Sequence, residues 1–373
     1  MQTIRVFESF AGYGSQLMAL RRLERAHPDK IKVVPVGISE IDPHAIKAYH
    51  AVHGEDVPNY GDISKIDWDK VPDFDLLTYS SPCQDFSIAG LQAGGEKGSG
   101  TRSSLLWKVE RAIQAKRPQW LLMENVPALT TKTFMPLLRR WLDTLTRYGY
   151  TNYAKCLNAK DYGVPQSRNR LFVVSALGKA PFFFPKKKRL EKRLCHVLEV
   201  DGVPEHFYYT DAQLEGRFAS KYKMRKYVQD AYGDKISRCI TAHEGIEPLL
   251  LKVNEPQIEC VDSIANMNAH ESTRRVYSPD GISPTLNCCE GGNLQPKILS
   301  KQHGDRIRRL TPRECFRLMD VDDIYIDRIQ AAGISNSQQY KLAGNSIVVD
   351  VLEAIFRKMF IDTSNEDAQL TLF

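Results

Sequence analysis

Strand-like and helix-like segments alternate along the first half of the chain, and this alternation restricts its fold more than any other feature. Apolar stretches of strand length are followed by amphipathic stretches of helix length. Strands are predicted at residues 3–8, 33–38, 75–79, 120–123 and 170–176, and helices at residues 15–25, after Asp42-Pro43, 103–115 and 134–148. Because strands that alternate with helices tend to pair in parallel, we predict an α/β, doubly wound domain with a mainly parallel sheet.

A glycine turn follows the first predicted strand. Gly12 and Gly14 allow the backbone to approach a nucleotide-like ligand, and Glu40, after the second strand, is placed to bind ribose hydroxyls. The dinucleotide fingerprint requires a third glycine where this chain has Leu17, which disfavours a pyrophosphate cofactor. The turn therefore indicates an adenosine cofactor without phosphates, such as S-adenosylmethionine, or a turn that serves only the fold.

Cys83 lies just beyond the carboxyl end of a buried strand. It follows Pro82, which imposes an extended or turn geometry on the local chain. In an open parallel sheet, ligands and catalytic groups gather at the carboxyl ends of the strands. Cys83 is therefore a candidate nucleophile, and its alternative role is that of a small buried side chain.

Further polar side chains are predicted at the same sheet edge. Glu124 follows the strand at residues 120–123, and its alternative role is to cap the next segment. Arg168 and Arg170 alternate at the entry to another strand, so they share a face and can hold a carboxylate, a phosphate or the edge of a base. Together with Cys83 and the glycine turn, these residues predict one site at one edge of the sheet.

The basic residues are concentrated beyond the predicted α/β region. The formal net charge is +6, and residues 179–238 carry enough Lys and Arg, interleaved with aromatic side chains, to supply that excess. Such a segment is either a face that contacts phosphates or a solvated surface. The eight Cys show no paired spacing, and no apolar run reaches membrane length. We therefore expect free thiols in a reducing compartment, no metal site and no membrane partner.

Six short motifs occur in a characteristic order. They are Phe10-Ala11-Gly12-Tyr13-Gly14, Ser81-Pro82-Cys83-Gln84, Glu124-Asn125-Val126, Gln166-x-Arg168-x-Arg170, Arg309-Leu310-Thr311-Pro312-Arg313-Glu314 and Gly344-Asn345-Ser346. In this order and spacing the chain resembles the DNA (cytosine-5) methyltransferase family, of the bacterial or phage restriction-modification type. The resemblance runs from Arg5 to Phe360 or close to it.

The resemblance implies a site-specific methyltransferase that flips a cytosine out of double-stranded DNA. The Cys83 thiolate would add to carbon 6 of the ring, and carbon 5 would then take the methyl group of S-adenosylmethionine. Glu124 would hydrogen-bond ring nitrogen 3 and the amine, which requires a pKa raised by burial. Arg168 would support the carbonyl oxygen of the base, and Arg170 would orient Glu124 or the loop that carries Cys83.

The resemblance also implies two binding sets. The cofactor set comprises Phe10, Gly12, Gly14, Glu40, Asp62, Pro82, Leu105, Asn345 and Ser346. The DNA set comprises Gln84, Ser87, Arg275, Thr285 and Leu286, with Arg275 as a reader of guanine in the major groove. The chain departs from the family pattern at Glu8, where many members have Asp, and at Ser15, where many have Gly.

We expect a discontinuous, Rossmann-like large domain of residues 1–178 and 335–362. A smaller, irregular and mainly β target-recognition domain is expected at residues 179–305, a hinge at residues 306–334 and a flexible tail at residues 363–373. The enzyme would act as a cytoplasmic, nucleoid-associated monomer. A cognate restriction endonuclease would be its functional partner without binding to it. The nearest alternative is the same chemistry on structured RNA. A non-catalytic DNA-binding protein and a nucleotide-dependent oxidoreductase are more distant alternatives.

Overall fold

The computed structural model describes residues 1–81, 105–210, 256–264, 274–288, 294–300 and 306–362. The predicted site residues Pro82, Cys83, Gln84 and Ser87 lie outside these ranges, as does the tail at residues 363–373. In the part of the chain that is described, no helix is both long and apolar enough to cross a bilayer.

A six-stranded sheet forms the centre of the fold. Its strands are β1 (Gln2–Ser9), β2 (Ile31–Ser39), β3 (Leu76–Tyr79), β4 (Trp120–Asn125), β5 (Tyr150–Asn158) and β7 (Asn169–Leu177), whereas the short β6 (Gln166–Ser167) lies outside it. The strand order is β2-β1-β3-β4-β7-β5. Strands β2, β1, β3 and β4 pair in parallel, but β7 is antiparallel to both of its neighbours. The predicted mainly parallel sheet is confirmed, while β5 and the reversal of β7 were not predicted.

Helices cover both faces of this sheet because its side chains alternate between two cores. The first four helices are α1 (Ser15–Ala26), α2 (Pro43–His53), α3 (Leu106–Lys116) and α4 (Met135–Arg147). Along β4, Leu122 faces the core that contains α1 and α2, and its neighbours Leu121 and Met123 face the core that contains α3 and α4. The doubly wound α/β prediction is therefore confirmed.

Four helices near the end of the chain return to the large sheet. They are α5 (Pro312–Arg317), α6 (Asp323–Ala331), α7 (Asn336–Asn345) and α8 (Val349–Phe360). Helix α8 packs on α1, and α6 packs on α2. In α5, the ring of Phe316 meets Tyr13 edge to face, with ring centroids 5.5 Å apart. These contacts place α5 and α6 against the large sheet, although both helices fall in the region that was expected to be a hinge.

A second sheet of four short strands forms the small unit. Its strands are β8 (Cys260–Ser263), β9 (Arg275–Tyr277), β11 (Lys297–Ser300) and β12 (Arg306–Arg309), and β10 (Ser283–Pro284) lies apart from them. The order is β12-β11-β9-β8, with a small apolar core beneath it. Because β12 pairs with β11, the sheet continues past the boundary that was expected at Asp305. Strand β10 pairs instead with β6, which joins the two units.

A buried ion pair fixes the chain where it leaves the small sheet. Arg308 donates two hydrogen bonds to Glu314, from Nη1 to Oε2 over 2.8 Å and from Nη2 to Oε1 over 2.7 Å. The backbone N–H groups of Glu199 and Thr311 also donate to this carboxylate, at 2.9 and 2.7 Å. Both side chains are almost fully buried. Loss of either partner would leave a buried charge without its counterion.

We expect Glu314→Ala to lower the free energy of unfolding by about 3–5 kcal/mol, because it leaves the Arg308 guanidinium buried and unpaired. The matched control is Glu205→Ala, which breaks the exposed pair with Arg306 and should cost less than about 1 kcal/mol. Urea unfolding of both variants measures the difference. Equal, small losses would show that the Arg308 pair is not needed for stability.

Candidate active site

The reversed strand β7 brings two arginines to the carboxyl edge of the parallel strands. Since β7 runs against β4, its first residues lie beside the last residues of β4, with Leu171 opposite Asn125 and Phe172 opposite Glu124. Arg170 Nε lies 3.2 Å from Glu124 Oε1, and both side chains are largely buried. This contact agrees with the orienting role that the sequence suggested for Arg170.

The Glu124 carboxyl lies in a strongly perturbed environment. Burial raises its pKa, and the positive charges of Arg170 and Arg168 oppose that rise. The direction is the one expected of a carboxyl that must hold or share a proton near neutral pH.

Asn125 anchors the chain that leads to Cys83. Its Nδ2 donates to Ser81 O over 3.1 Å and to Ser81 Oγ over 3.3 Å, and its Oδ1 accepts from Val126 N over 2.9 Å. The entry to the segment that carries Cys83 is therefore fixed beside the end of β4. The sequence pointed to Asn125 only as part of a motif, and its role depends on a contact between two loops.

Arg168 makes contacts that differ from those expected. Its side chain is buried; Nη1 donates to Leu286 O, and Nη2 donates to Gly344 O and Ser346 O, each over 2.8 Å. The family resemblance implied that Arg168 supports the carbonyl oxygen of the base. In this structure its guanidinium is engaged instead with backbone carbonyls of two other segments, which are the contacts of a residue that positions the chain.

The glycine turn between β1 and α1 opens towards the same edge. Gly12 N donates to Glu40 Oε2 over 2.9 Å, which ties the turn to the end of β2. Phe10, Gly12 and Gly14 all have positive φ, at 57, 58 and 80°. At Gly14 a side chain is also excluded by space, since an added Cβ would lie 2.4 Å from His53 Nε2.

The buried carboxyl of Glu8, on β1, stabilises this turn and the helix that follows it. Glu8 Oε1 accepts from Leu17 N over 3.1 Å, and Glu8 Oε2 accepts from the hydroxyl of Tyr49 over 2.8 Å. Because Gly14 at the start of α1 has no side chain to cap the helix, Glu8 takes over that function from β1. Burial raises the pKa of Glu8 to about 7, although both hydrogen bonds oppose the rise.

His53 holds the end of the same turn. Its Nε2 donates to Gly14 O over 3.0 Å, and its ring lies 4.7 Å from that of Tyr49. Burial lowers the pKa of His53 to about 4, so the imidazole is neutral at physiological pH.

Two glycines near this edge have space beside them. Among the described residues, an added Cβ at Gly12 or at Gly61 would meet no atom within 4 Å. Asp62 is partly exposed, and its pKa is lowered by the hydrogen bond that it accepts from Ser64 N. Asn345 is exposed at the end of α7. Ile41, which no sequence motif indicated, follows Glu40 directly, and its side chain is 71% exposed.

Three further cofactor candidates are less open to solvent. Leu105 is partly buried before α3, Phe10 packs at the edge of the α3–α4 core, and the Ser346 hydroxyl lies 2.6 Å from that of Tyr13. Open space above the turn, a carboxylate at Glu40 and an exposed apolar side chain at Ile41 suit an adenosine group without phosphates. In the part of the chain that is described, no cluster of His, Cys, Asp and Glu could hold a metal ion.

The structure separates the described members of the predicted DNA set. Arg275 and Thr285 line one hollow of about 250 Å³ in the small unit, together with Tyr277 and Gln295. Leu286, by contrast, is buried in the core of the large unit, and its carbonyl binds Arg168. The burial of this side chain argues against the DNA contact that was expected for Leu286.

The chain is similar to known proteins over nearly its whole length. A model of C-5 cytosine-specific DNA methylases matches residues 4–361. The chain belongs to this family. It is 34% identical to the type II methyltransferase M2.ScrFI of Lactococcus lactis subsp. cremoris, over 96% of this chain and 99% of that one. It is 28% identical to the orphan methyltransferase M.SPBetaI of Bacillus phage SPbeta, over 99% and 100% of the two chains.

The fold of this DNA methylase is also that of solved methyltransferases. The methyltransferase EhMeth of Entamoeba histolytica superposes with a TM-score of 0.66 at 16% identity, over 98% of this chain and 100% of that one. The family membership and the fold predicted from sequence are therefore confirmed.

Glu8 predicts a specific dependence of stability on pH. Its pKa is about 7 in the folded protein, against an ordinary value of 4.5. Between these values the unfolded chain is ionised while the folded one keeps its proton, so stability falls as pH rises. The loss is on the order of 3 kcal/mol by pH 7 or slightly above.

We expect Glu8→Gln to remove this part of the pH dependence, because an amide can still accept from Leu17 N but does not titrate. Urea unfolding at intervals between pH 4.5 and 7.5 measures the two slopes. The control is Glu24→Gln, which changes a partly exposed carboxyl on α1, the helix whose first turn Glu8 caps. An unchanged slope in Glu8→Gln would contradict the assignment.

Proposed function

We propose that this DNA methylase adds a methyl group to carbon 5 of a cytosine that has been flipped out of double-stranded DNA. The observation that carries the proposal is the buried Glu124–Arg170 pair, which lies beside the anchored entry to the Cys83 segment. Glu124 supplies an acid for the base, and the anchored segment continues to the thiol of Cys83. Base flipping follows from geometry, since a thiol cannot reach carbon 6 inside a stacked duplex.

Cys83 acts as the nucleophile in this mechanism. Its thiolate forms a bond to carbon 6, which moves electron density to carbon 5 and makes that carbon nucleophilic. Carbon 5 then gains the methyl group and loses its proton to a base that we do not assign. The bond to sulfur breaks, and the aromatic ring and the thiolate are restored.

Glu124 stabilises the charge that develops on the ring. Its protonated carboxyl donates to ring nitrogen 3 and accepts from the exocyclic amine. Burial favours the protonated form, and the Arg170 guanidinium 3.2 Å away keeps the carboxyl oriented and limits the rise of its pKa. Arg170 is also the guanidinium nearer to the base in this arrangement, so it replaces Arg168 as our candidate for the carbonyl oxygen.

S-Adenosylmethionine supplies the methyl group when it is bound. Gly12, Gly14 and Phe10 would hold the cofactor at the turn, and Glu40 would accept hydrogen bonds from its ribose hydroxyls. Ile41 would offer an apolar surface to its adenine ring. Asp62, Leu105, Asn345, Ser346 and Pro82 complete the proposed set.

The small unit reads the DNA in this proposal. We place the large domain at residues 1–178 and 310–362 and the target-recognition domain at residues 179–309, because β12 belongs to the small sheet. Arg275 and Thr285 line the hollow that they share, and Gln84 and Ser87 would also contact DNA in this proposal. One self-contained site per chain favours a monomer. We place this monomer in the cytoplasm, where the DNA methylation that it carries out would block a restriction endonuclease without contact between the two proteins.

A substitution at Cys83 tests the chemistry. Cys83→Ser should reduce methyl transfer to duplex DNA at least 10³-fold, because a serine hydroxyl does not ionise near neutral pH. The assay follows labelled methyl transfer to unmethylated genomic DNA and, in parallel, to transfer RNA, and bisulfite sequencing then maps the site. Cys195→Ser, at an exposed free thiol, is the control and should retain activity. Transfer to RNA alone would reject the DNA substrate.

The rate of methyl transfer should depend on the ionisation of Glu124. Arg170→Gln removes a charge that lowers the Glu124 pKa, so the alkaline decline in single-turnover rate should move to higher pH. The rate at its maximum should fall about 10²-fold or more, because the carboxyl loses its partner. Glu124→Gln is the matched control, in which this decline is absent. A decline that persists in Glu124→Gln would assign it to another group.

A further inference from the structure

The short strand β6 connects the DNA-reading unit to the catalytic edge. Gln166 and Ser167 pair in parallel with Ser283 and Pro284. Beyond that pairing, the Thr285 hydroxyl donates to Ser167 O over 2.6 Å, and Leu286 N donates to Gln166 Oε1 over 3.1 Å. The segment that contains Thr285 is thus held to β6 by side chains as well as by backbone.

Arg168 continues this connection towards the cofactor turn. The same guanidinium that binds Leu286 O also binds Gly344 O and Ser346 O, all at 2.8 Å. These carbonyls come from the segment that follows β10, which connects to the small unit, and from the end of α7. A displacement of one of the two segments must therefore change the hydrogen bonds of the other.

Ser346 connects Arg168 to the glycine turn and completes a path of hydrogen bonds that begins at Thr285. Its hydroxyl lies 2.6 Å from that of Tyr13, which stands between Gly12 and Gly14 in the turn. The Tyr13 side chain is 1% exposed, and its ring packs against Phe316. One end of the path therefore lies at Thr285 and the other inside the proposed cofactor turn.

The two segments also touch without room to slide past each other. A Cβ at Gly344 would lie 2.1 Å from Asn287 O and 2.6 Å from Cys288 N. Only glycine permits this approach, so a movement of the chain after Leu286 is transmitted directly to the end of α7.

We propose that Arg168, Ser346 and Tyr13 act as positioning residues that couple DNA binding to cofactor binding. The inference rests on the proposed function and adds a regulation of the same site. Contact of Thr285 with DNA fixes residues 285–287, Arg168 carries that constraint to Ser346, and the Tyr13 hydroxyl carries it to the turn. Because the coupling is a property of the binding equilibria, the cofactor must tighten DNA binding by the same factor.

The test measures the dissociation constant of S-adenosylhomocysteine by calorimetry, with and without a saturating duplex that carries the mapped methylation site. We expect the duplex to tighten binding to the wild-type protein on the order of tenfold. The ratio of interest is the dissociation constant without duplex divided by that with duplex. Tyr13→Phe removes one hydroxyl and keeps the ring, and should reduce this ratio to less than about two. Arg168→Lys, whose ammonium cannot span the three carbonyls, should reduce it as well.

The control is Tyr150→Phe, which loses a buried hydrogen bond of similar length, 2.7 Å to Pro118 O, away from this path. It should keep the wild-type ratio. General loosening of the turn would change both dissociation constants alike and leave their ratio intact, so the ratio separates coupling from simple structural support. Should Arg168→Lys fail to fold, Tyr13→Phe decides the question.

Two results would overturn the coupling and leave the proposed function standing. One is a wild-type protein that binds the duplex and S-adenosylhomocysteine but has the same dissociation constant for S-adenosylhomocysteine with and without the duplex. The other is a Tyr13→Phe variant in which the duplex tightens S-adenosylhomocysteine binding as much as in the wild type. A wild-type protein that binds no S-adenosylhomocysteine at all would overturn the proposed function, and the coupling with it.

Discussion

The reversed direction of β7 is the constraint on which the site depends. Parallel strands place their carboxyl ends at one edge of a sheet, and a strand that runs the other way delivers its amino end there. Arg168 and Arg170 therefore arrive beside Glu124 without a long connecting loop. With β7 parallel to its neighbours, both guanidinium groups would lie at the opposite edge, far from the glycine turn.

Two buried carboxyls near this edge differ in what surrounds them. Glu124 has a guanidinium partner, so burial and charge act on its pKa in opposite directions. Glu8 is held by the Tyr49 hydroxyl and by Leu17 N, which are neutral partners, so burial dominates and raises its pKa. The first environment suits a group that hydrogen-bonds a base, and the second suits a group that holds a helix end.

Sequence patterns predicted the fold where a local signal existed. The strands and helices of the first half, the glycine turn and the helix that starts after Asp42 all depend on periodicity or capping, which neighbouring residues encode. The family resemblance also predicted that Arg170 would orient Glu124 or the loop that carries Cys83. The contact between Arg170 and Glu124 depends on the reversed direction of β7, which the strand pattern did not predict.

Contacts between distant segments were not predictable in the same way. The burial of Leu286, the capture of its carbonyl by Arg168 and the pairing of β12 with β11 depend on tertiary packing that no local pattern encodes. Asn125 and Ile41 carried weak signals: a polar residue at a strand end, and an apolar residue after a carboxylate. For Asn125 the contact with the Ser81 backbone, rather than the residue type, determines the role.

The most direct test of this account is a crystal structure of the protein trapped on duplex DNA that carries 5-fluorocytosine at the target position, with S-adenosylmethionine as methyl donor. The account predicts a bond from Cys83 Sγ to carbon 6, with Glu124 and Arg170 on the base and Arg168 still bound to the carbonyls of Leu286, Gly344 and Ser346. A structure in which Arg168 leaves those carbonyls to contact the base, or in which no covalent bond forms, would contradict it.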